Sequence, residues 1–109
     1  MAEPVVPYRV AYSERVRQWL ARLAEEAGRR GDREAFAAAL KEFDRRLHLY
    51  PQFGEPFLDL THEQGCIWNG IIRPLSMRYA IYEDRRLVTV TALPILLPKT
   101  PEQESEAKD

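Results

Sequence analysis

Four arginines and two tyrosines crowd one stretch of this chain. Arg73, Arg78, Arg85 and Arg86 lie within fourteen residues of one another, with Tyr79 and Tyr82 between them, in "RPLSMRYAIYEDRR". Residue types of this kind suit phosphoryl chemistry. Arginine supplies a planar fork for phosphate, and a tyrosine can hold or give up a proton. The alternative for the same residues is a charged hairpin turn with no chemistry of its own. Arg73, Arg78, Tyr79 and Arg85 are the residues that a working site here would have to bring together.

Other constellations are thinner. His62 and Cys66 lie four apart, but two ligands without a second pair are a poor zinc signal, so no metal or other cofactor is expected. A nucleophilic Cys66 would need an adjacent base, and in sequence only His62 is near. Cys66 reads better as a small buried strand residue. His48, at the end of a helix, suits a surface or capping position. "GRRGD" lies between two helices and does not follow a strand, so it is no phosphate loop. Arg29, Arg30 and Arg33 cluster at that same tip. They are either a solvated turn or a contact for an acidic partner.

The elements that position these residues follow from periodicity. "YRVAY" (8–12) is a strand by its Val and Tyr content. Ser13 then caps a helix, with Glu14 in its first turn. Val16, Trp19, Leu20, Leu23, Ala24 and Ala27 form one apolar stripe, and Gly28 and Gly31 allow the stop. Asp32 opens a second helix with Phe36, Ala39, Leu40, Phe43 and Leu47 on one face, closed by Pro51. Glu42 and Arg46 stand at i, i+4 and support it by about 0.3 kcal/mol. The short link between the helices makes them an antiparallel hairpin. Aromatic residues at helical spacing, Trp19, Phe36 and Phe43, belong to a core.

After "PQFGEP" the period changes from 3.6 to 2. "FLDLT" and "CIWNGIIR" read as strands around a turn at Glu63-Gln64-Gly65, and Pro74 imposes a bend, bulge or edge. Leu75, Met77, Tyr79 and Ile81 then alternate with Ser76, Arg78, Ala80 and Tyr82. Beyond the charged turn, Val88, Val90 and Ala92 alternate with Leu87, Thr89 and Thr91, making an antiparallel ladder with one face on the helices. Ile95, Leu96 and Leu97 in "PILLP" are too apolar to stand free. Either the domain or a partner covers them, and Trp68 with Ile67 and Ile71 faces the same two options. The expected architecture is α+β, in the order β-α-α-β-β-β, with a helical hairpin on a small antiparallel sheet.

Bulk properties bound the rest. With 109 residues, 45% hydrophobic and 30% charged, the chain is an ordinary single globular domain. Residues 1–98 are expected to form it, and 99–109, with two Lys against three Glu and one Asp, an acidic disordered tail. That leaves the body at +1, too close to neutral for strong non-specific nucleic-acid binding. Arg outnumbers Lys 13 to 3, which favours bidentate phosphate contacts or simply reflects GC-rich codons. No apolar run reaches membrane-spanning length, and "MAEPVVPYRV" has no signal-peptide pattern. A lone cysteine suits a reducing compartment, so a cytoplasmic location is expected.

The order of elements resembles the RelE/ParE superfamily of bacterial type II toxin–antitoxin proteins, which includes plasmid-stabilisation proteins. The resemblance rests on "YRVAYSERVRQWLARL", "FGEPFLDL" and "PLSMRYAIYEDRRLVTVTAL", across residues 8–93. Tyr79, Glu83 and Val88-Thr89-Val90 fit the family's closing hairpin. The resemblance implies an antitoxin as partner. RelE-like members cut messenger RNA on the ribosome; ParE-like members poison DNA gyrase. Matching Tyr79 to the family's strand tyrosine puts the catalytic arginine near Ser76, close in sequence to Arg78 but not at it. The second arginine falls in Pro94–Pro98, and no aromatic residue or histidine follows Tyr82. The implied function is therefore a toxin-type protein that acts mainly by binding, at Trp68, Ile95, Leu96 and Leu97 or at Arg29, Arg30 and Arg33. An mRNA endoribonuclease, with Arg73, Arg78, Tyr79 and Arg85 as its implied catalytic set, and a homodimeric interaction domain joined through "PILLP" stand as the alternatives.

Overall fold

The computed structural model describes residues 6–60 and 65–98, and the acidic segment 99–109 and His62 lie outside them. Two helices pack on one face of a six-stranded sheet, an α+β arrangement. Strand β1 (Arg9–Tyr12) leads into α1 (Glu14–Arg29) and α2 (Arg33–Leu49). Then come β2 (Glu55–Leu60), β3 (Gly65–Ile72), β4 (Leu75–Tyr82), β5 (Leu87–Val90) and the two-residue β6 (Ile95–Leu96). The expected order counted too few strands: five follow the helices, and "PILLP" supplies the last of them.

The helices form for the reasons their sequence gives. Ser13 Oγ accepts a hydrogen bond from the Val16 N–H at 3.1 Å, capping α1. Val16, Leu23 and Ala27 are buried, with Trp19, Leu20 and Ala24 partly so. Gly31, at φ +79, takes the left-handed conformation that lets the chain reverse, and Asp32 N–H then reaches back to Ala27 O at 2.7 Å. Asp32 stands at the start of α2 but makes no side-chain cap. Its carboxylate pairs with Arg30 instead. Phe36, Ala39, Phe43 and Leu47 bury the inner face of α2, while Leu40 is half-buried. Arg46 Nε donates to Glu42 at 2.7 Å, the pair expected from their spacing.

The sheet runs β1-β5-β4-β3-β2, with β6 continuing beside β4. It is not wholly antiparallel, because β1 pairs parallel to β5, Val10 opposite Val88 and Tyr12 opposite Val90. That pair joins the two ends of the domain, and no local pattern announces it. The bend expected at Pro74 is the tight β3–β4 turn, with a cis Arg73–Pro74 peptide. Leu75, Met77, Tyr79 and Ile81 of β4 face the helices and are buried with Phe43, Leu47, Val88 and Val90. No described helix is long and apolar enough to cross a membrane.

Candidate functional site

The charged stretch is distributed along β4 and its two turns. Arg73 sits in the turn before the strand and Arg85 in the turn after it, where its guanidinium lies 4.6 Å over the Tyr82 ring. An eight-residue strand spans roughly 26 Å, so these two cations stand at opposite ends of the sheet. Arg78, mid-strand, points away from the helices; Tyr79, next to it, points toward them. The four residues of the expected nuclease set are therefore not brought together.

Tyr79 has a structural task. Its hydroxyl donates to Pro51 O at 2.7 Å, and its ring stacks on Phe53 with centroids 6.0 Å apart. Phe53 in turn meets Phe43 edge-on at 5.6 Å. Burial pushes the Tyr79 phenol well above its ordinary value, only partly opposed by a hydrogen bond from the Gly54 backbone. A tyrosine held neutral in this way cannot serve as a base near neutral pH. The loop that receives it needs Gly54, because a Cβ there would stand 2.5 Å from Asn69 O and 2.7 Å from the Tyr79 hydroxyl.

The other arginines are engaged locally. Arg86, in the left-handed conformation at φ 46, stacks 4.3 Å over Tyr8 and donates from Nε to Val6 O at 3.1 Å. Tyr8 donates to Glu83 at 2.6 Å, and Gln52 bonds both, so the β4–β5 turn is tied to the first strand. At the tip of the helical hairpin Arg29 pairs with Glu26 at 2.6 Å and Arg30 with Asp32 at 3.1 Å. Arg33 is exposed. Two of these three cations are thus already neutralised, which suits a solvated turn.

The apolar candidates divide. Trp68 stands opposite Tyr79 in register, on the helix side, and packs against the core. Leu96 does the same, and Leu97 N–H bonds Pro74 O at 2.7 Å. Trp68 and Leu96 hold the fold and offer little to a partner, while Leu97 is tied to it through its backbone. Ile95 is the exception: it stands opposite Ser76 on the outer face and is more than half exposed.

That outer face is the site. Phe57, Leu58, Ile71 and Ile95 each expose more than half their surface there. Ile67, Ala80 and Ala92 line the ground between them. Arg78 lies in the middle, its guanidinium 4.1 Å over the Phe57 ring, with no hydrogen bond or ion pair to any described residue. A cleft of about 160 Å³ opens on one side of Arg78, lined by Phe57, Ile67, Ala80, Thr89, Thr91 and Ala92. A second of about 310 Å³ opens on the other, lined by Asn69, Ser76, Ala92, Leu93 and Ile95. Both arise from one irregularity. Ala80 pairs with Thr89 and Ser76 with Ile95, so the outer strand takes six steps to cover four. The two extra residues swing Thr91 and Ala92 off the ladder beside Arg78.

A bulge of this kind has a weak sequence signal, the prolines at 94 and 98 interrupting an otherwise regular run. Phe57 had a better one, as the first residue of "FLDLT". Among the described residues no group of three His, Cys, Asp or Glu is placed to hold a metal ion. No family model, curated protein or solved structure matches this chain.

Proposed function

We propose that this chain is a RelE/ParE-like toxin-type protein that works by binding other proteins: an antitoxin first, and a gyrase-type target where toxicity is retained. The observation that carries this reading is the outer sheet face, where one unpaired arginine stands among exposed apolar side chains. Monomeric proteins rarely leave such a face uncovered, and contiguous apolar patches rimmed by polar groups mark interaction surfaces. The order of a first strand, a helical hairpin and then the rest of the sheet also agrees with the resemblance drawn from the sequence.

The ribonuclease alternative is disfavoured by geometry. Its phosphate would need two or more convergent cations and a proton carrier. Arg78 has Tyr82 as the nearest tyrosine on its face, four residues or about 13 Å away along the strand. The homodimer alternative through "PILLP" is weakened because Leu96 and Leu97 are already used by the domain. Ile95 alone is too little surface for a stable dimer.

The test is expression of the chain alone in bacteria, with growth, RNA integrity and DNA supercoiling followed, then repeated with the product of the neighbouring gene. Growth arrest with intact messenger RNA, relieved by the neighbour, is the expected result. Messenger RNA cut within minutes of induction would replace this reading with the nuclease. Normal growth, together with no complex with the neighbour, would remove it.

A further inference from the structure

From the two clefts flanking Arg78 we infer a recognition register: this face takes an extended peptide carrying an acidic side chain between two apolar ones, in the pattern apolar-x-acid-x-apolar. The inference rests on the protein-binding reading above and names the chemistry of the partner's segment.

Arg78 is oriented before anything binds. Stacking on Phe57 at 4.1 Å fixes the guanidinium plane, and the N–H edge is left without a described acceptor. An arginine on an aromatic ring loses less freedom on pairing than a free one. On the side of the smaller cleft its surroundings are mostly apolar, so a carboxylate arriving there is partly desolvated and the pair is stronger than at an open surface. The face thus supplies the cation and lacks the anion, and the complementary partner must bring one.

Spacing sets the rest. Ala80 and Ser76 lie two residues to either side of Arg78 on the same face, and each lines one of the clefts. Residues i, i+2 and i+4 of an extended peptide project to one side about 6.6 Å apart. A segment lying along β4 therefore puts its central side chain on Arg78 and its outer two into the clefts. The smaller cleft, about 160 Å³, takes a branched aliphatic side chain; the larger, about 310 Å³, accepts a bulkier one against Leu93 and Ile95, with Asn69 and Ser76 as its polar wall. A carboxylate is favoured over a nucleic-acid phosphate because no second cation converges, Arg73 and Arg85 being at the two ends of the strand.

The probe is the acetylated, amidated pentapeptide Leu-Thr-Glu-Thr-Leu, titrated into the full chain while backbone amide shifts are followed by NMR. Saturable shifts at Ile67, Ala80, Ala92 and Ile95 are expected, with the Gln-centred peptide at least tenfold weaker. Arg78→Met keeps a stem on Phe57 and should abolish the Glu-over-Gln preference while leaving the remaining spectrum in place. Arg78→Lys, a point charge without the planar fork, should retain part of it. Equal binding of the Glu and Gln peptides, shifts centred on Leu20 and Leu40 of the helices, or no saturable shift would each overturn the register. So would displacement of the peptide by hexauridylate, which would make the ligand a phosphate chain. The two readings fail separately. Peptide selectivity without growth arrest or relief sinks the toxin assignment alone; relief by a neighbour whose binding ignores Arg78→Met sinks the register alone.

Discussion

Strand β4 presents two faces to two environments, and neighbouring residues on it have opposite fates. Tyr79 is buried, hydrogen-bonded and stacked; Arg78 beside it is exposed and held only by Phe57. The inner face is closed by two helices, and every large side chain on it has a defined neighbour. The outer face is equally apolar in places but has nothing over it among the described residues. The inner face shows what a satisfied surface of this protein looks like. By that standard the outer face is unfinished among the described residues, and the proposed partner segment is what would complete it.

That contrast is open to experiment, beginning with the inner face. Phe43→Ala removes a fully buried ring that Phe53 meets edge-on, and should cost about 3–5 kcal/mol in urea unfolding. A loss below about 1 kcal/mol would mean that the core is not packed as described. Gly54→Ala forces a Cβ against Asn69 O and the Tyr79 hydroxyl, and should cost about 1–3 kcal/mol by the same measurement. Tyr79→Phe keeps the ring but leaves Pro51 O without its donor, a loss of about 1–2 kcal/mol. Growth arrest by that variant should survive, because the tyrosine has no chemical role; its abolition at unchanged stability would restore a catalytic reading.

The outer face should respond in the opposite way. Arg78→Met should change stability by under about 0.5 kcal/mol, since the side chain is exposed and unpaired, while weakening partner binding tenfold or more. The smallest effect belongs to the helix surface. Hydrogen bonds from Arg45 and Arg46 hold the Glu42 carboxyl at about 2, against its ordinary 4.5. A carboxyl depressed on folding stabilises fully above its unfolded pKa, and that contribution drains away as pH falls from about 4.5 toward 2. Glu42→Gln should therefore lower stability slightly at neutral pH, make no difference near pH 2, and so flatten the acid limb of a stability–pH curve. The group is solvent-exposed, so the change stays small.

Much of the inner face was legible in the sequence because it depends on local period. The stripe from Val16 to Ala27, the second from Phe36 to Leu47, and the alternation of Leu75 through Ile81 each identify a buried side without knowledge of the partner element. The parallel pairing of Arg9–Tyr12 with Leu87–Val90 was not legible, since two short apolar runs nearly eighty positions apart say nothing about each other. Trp68 was ambiguous for a related reason. Only the register against Tyr79 decides which way it points, and a single step reverses it. The outer site was half legible. Arg78 could be named from its place in the alternation, but its partner Phe57 depends on the register shift between Pro56 and Leu58, and the clefts on a two-residue mismatch between strands. That mismatch becomes visible only once both strands are paired.

The link between β1 and β5 also bears on how the protein is made. The first strand has no hydrogen-bonded strand neighbour other than β5 among the described residues, and β5 is synthesised nearly eighty residues later. On the ribosome the amino-terminal segment must wait until Val90 has cleared the exit tunnel before the sheet can close. Until then Val10 and Tyr12 have no strand partner, so closure of the sheet rests on one contact of large sequence separation.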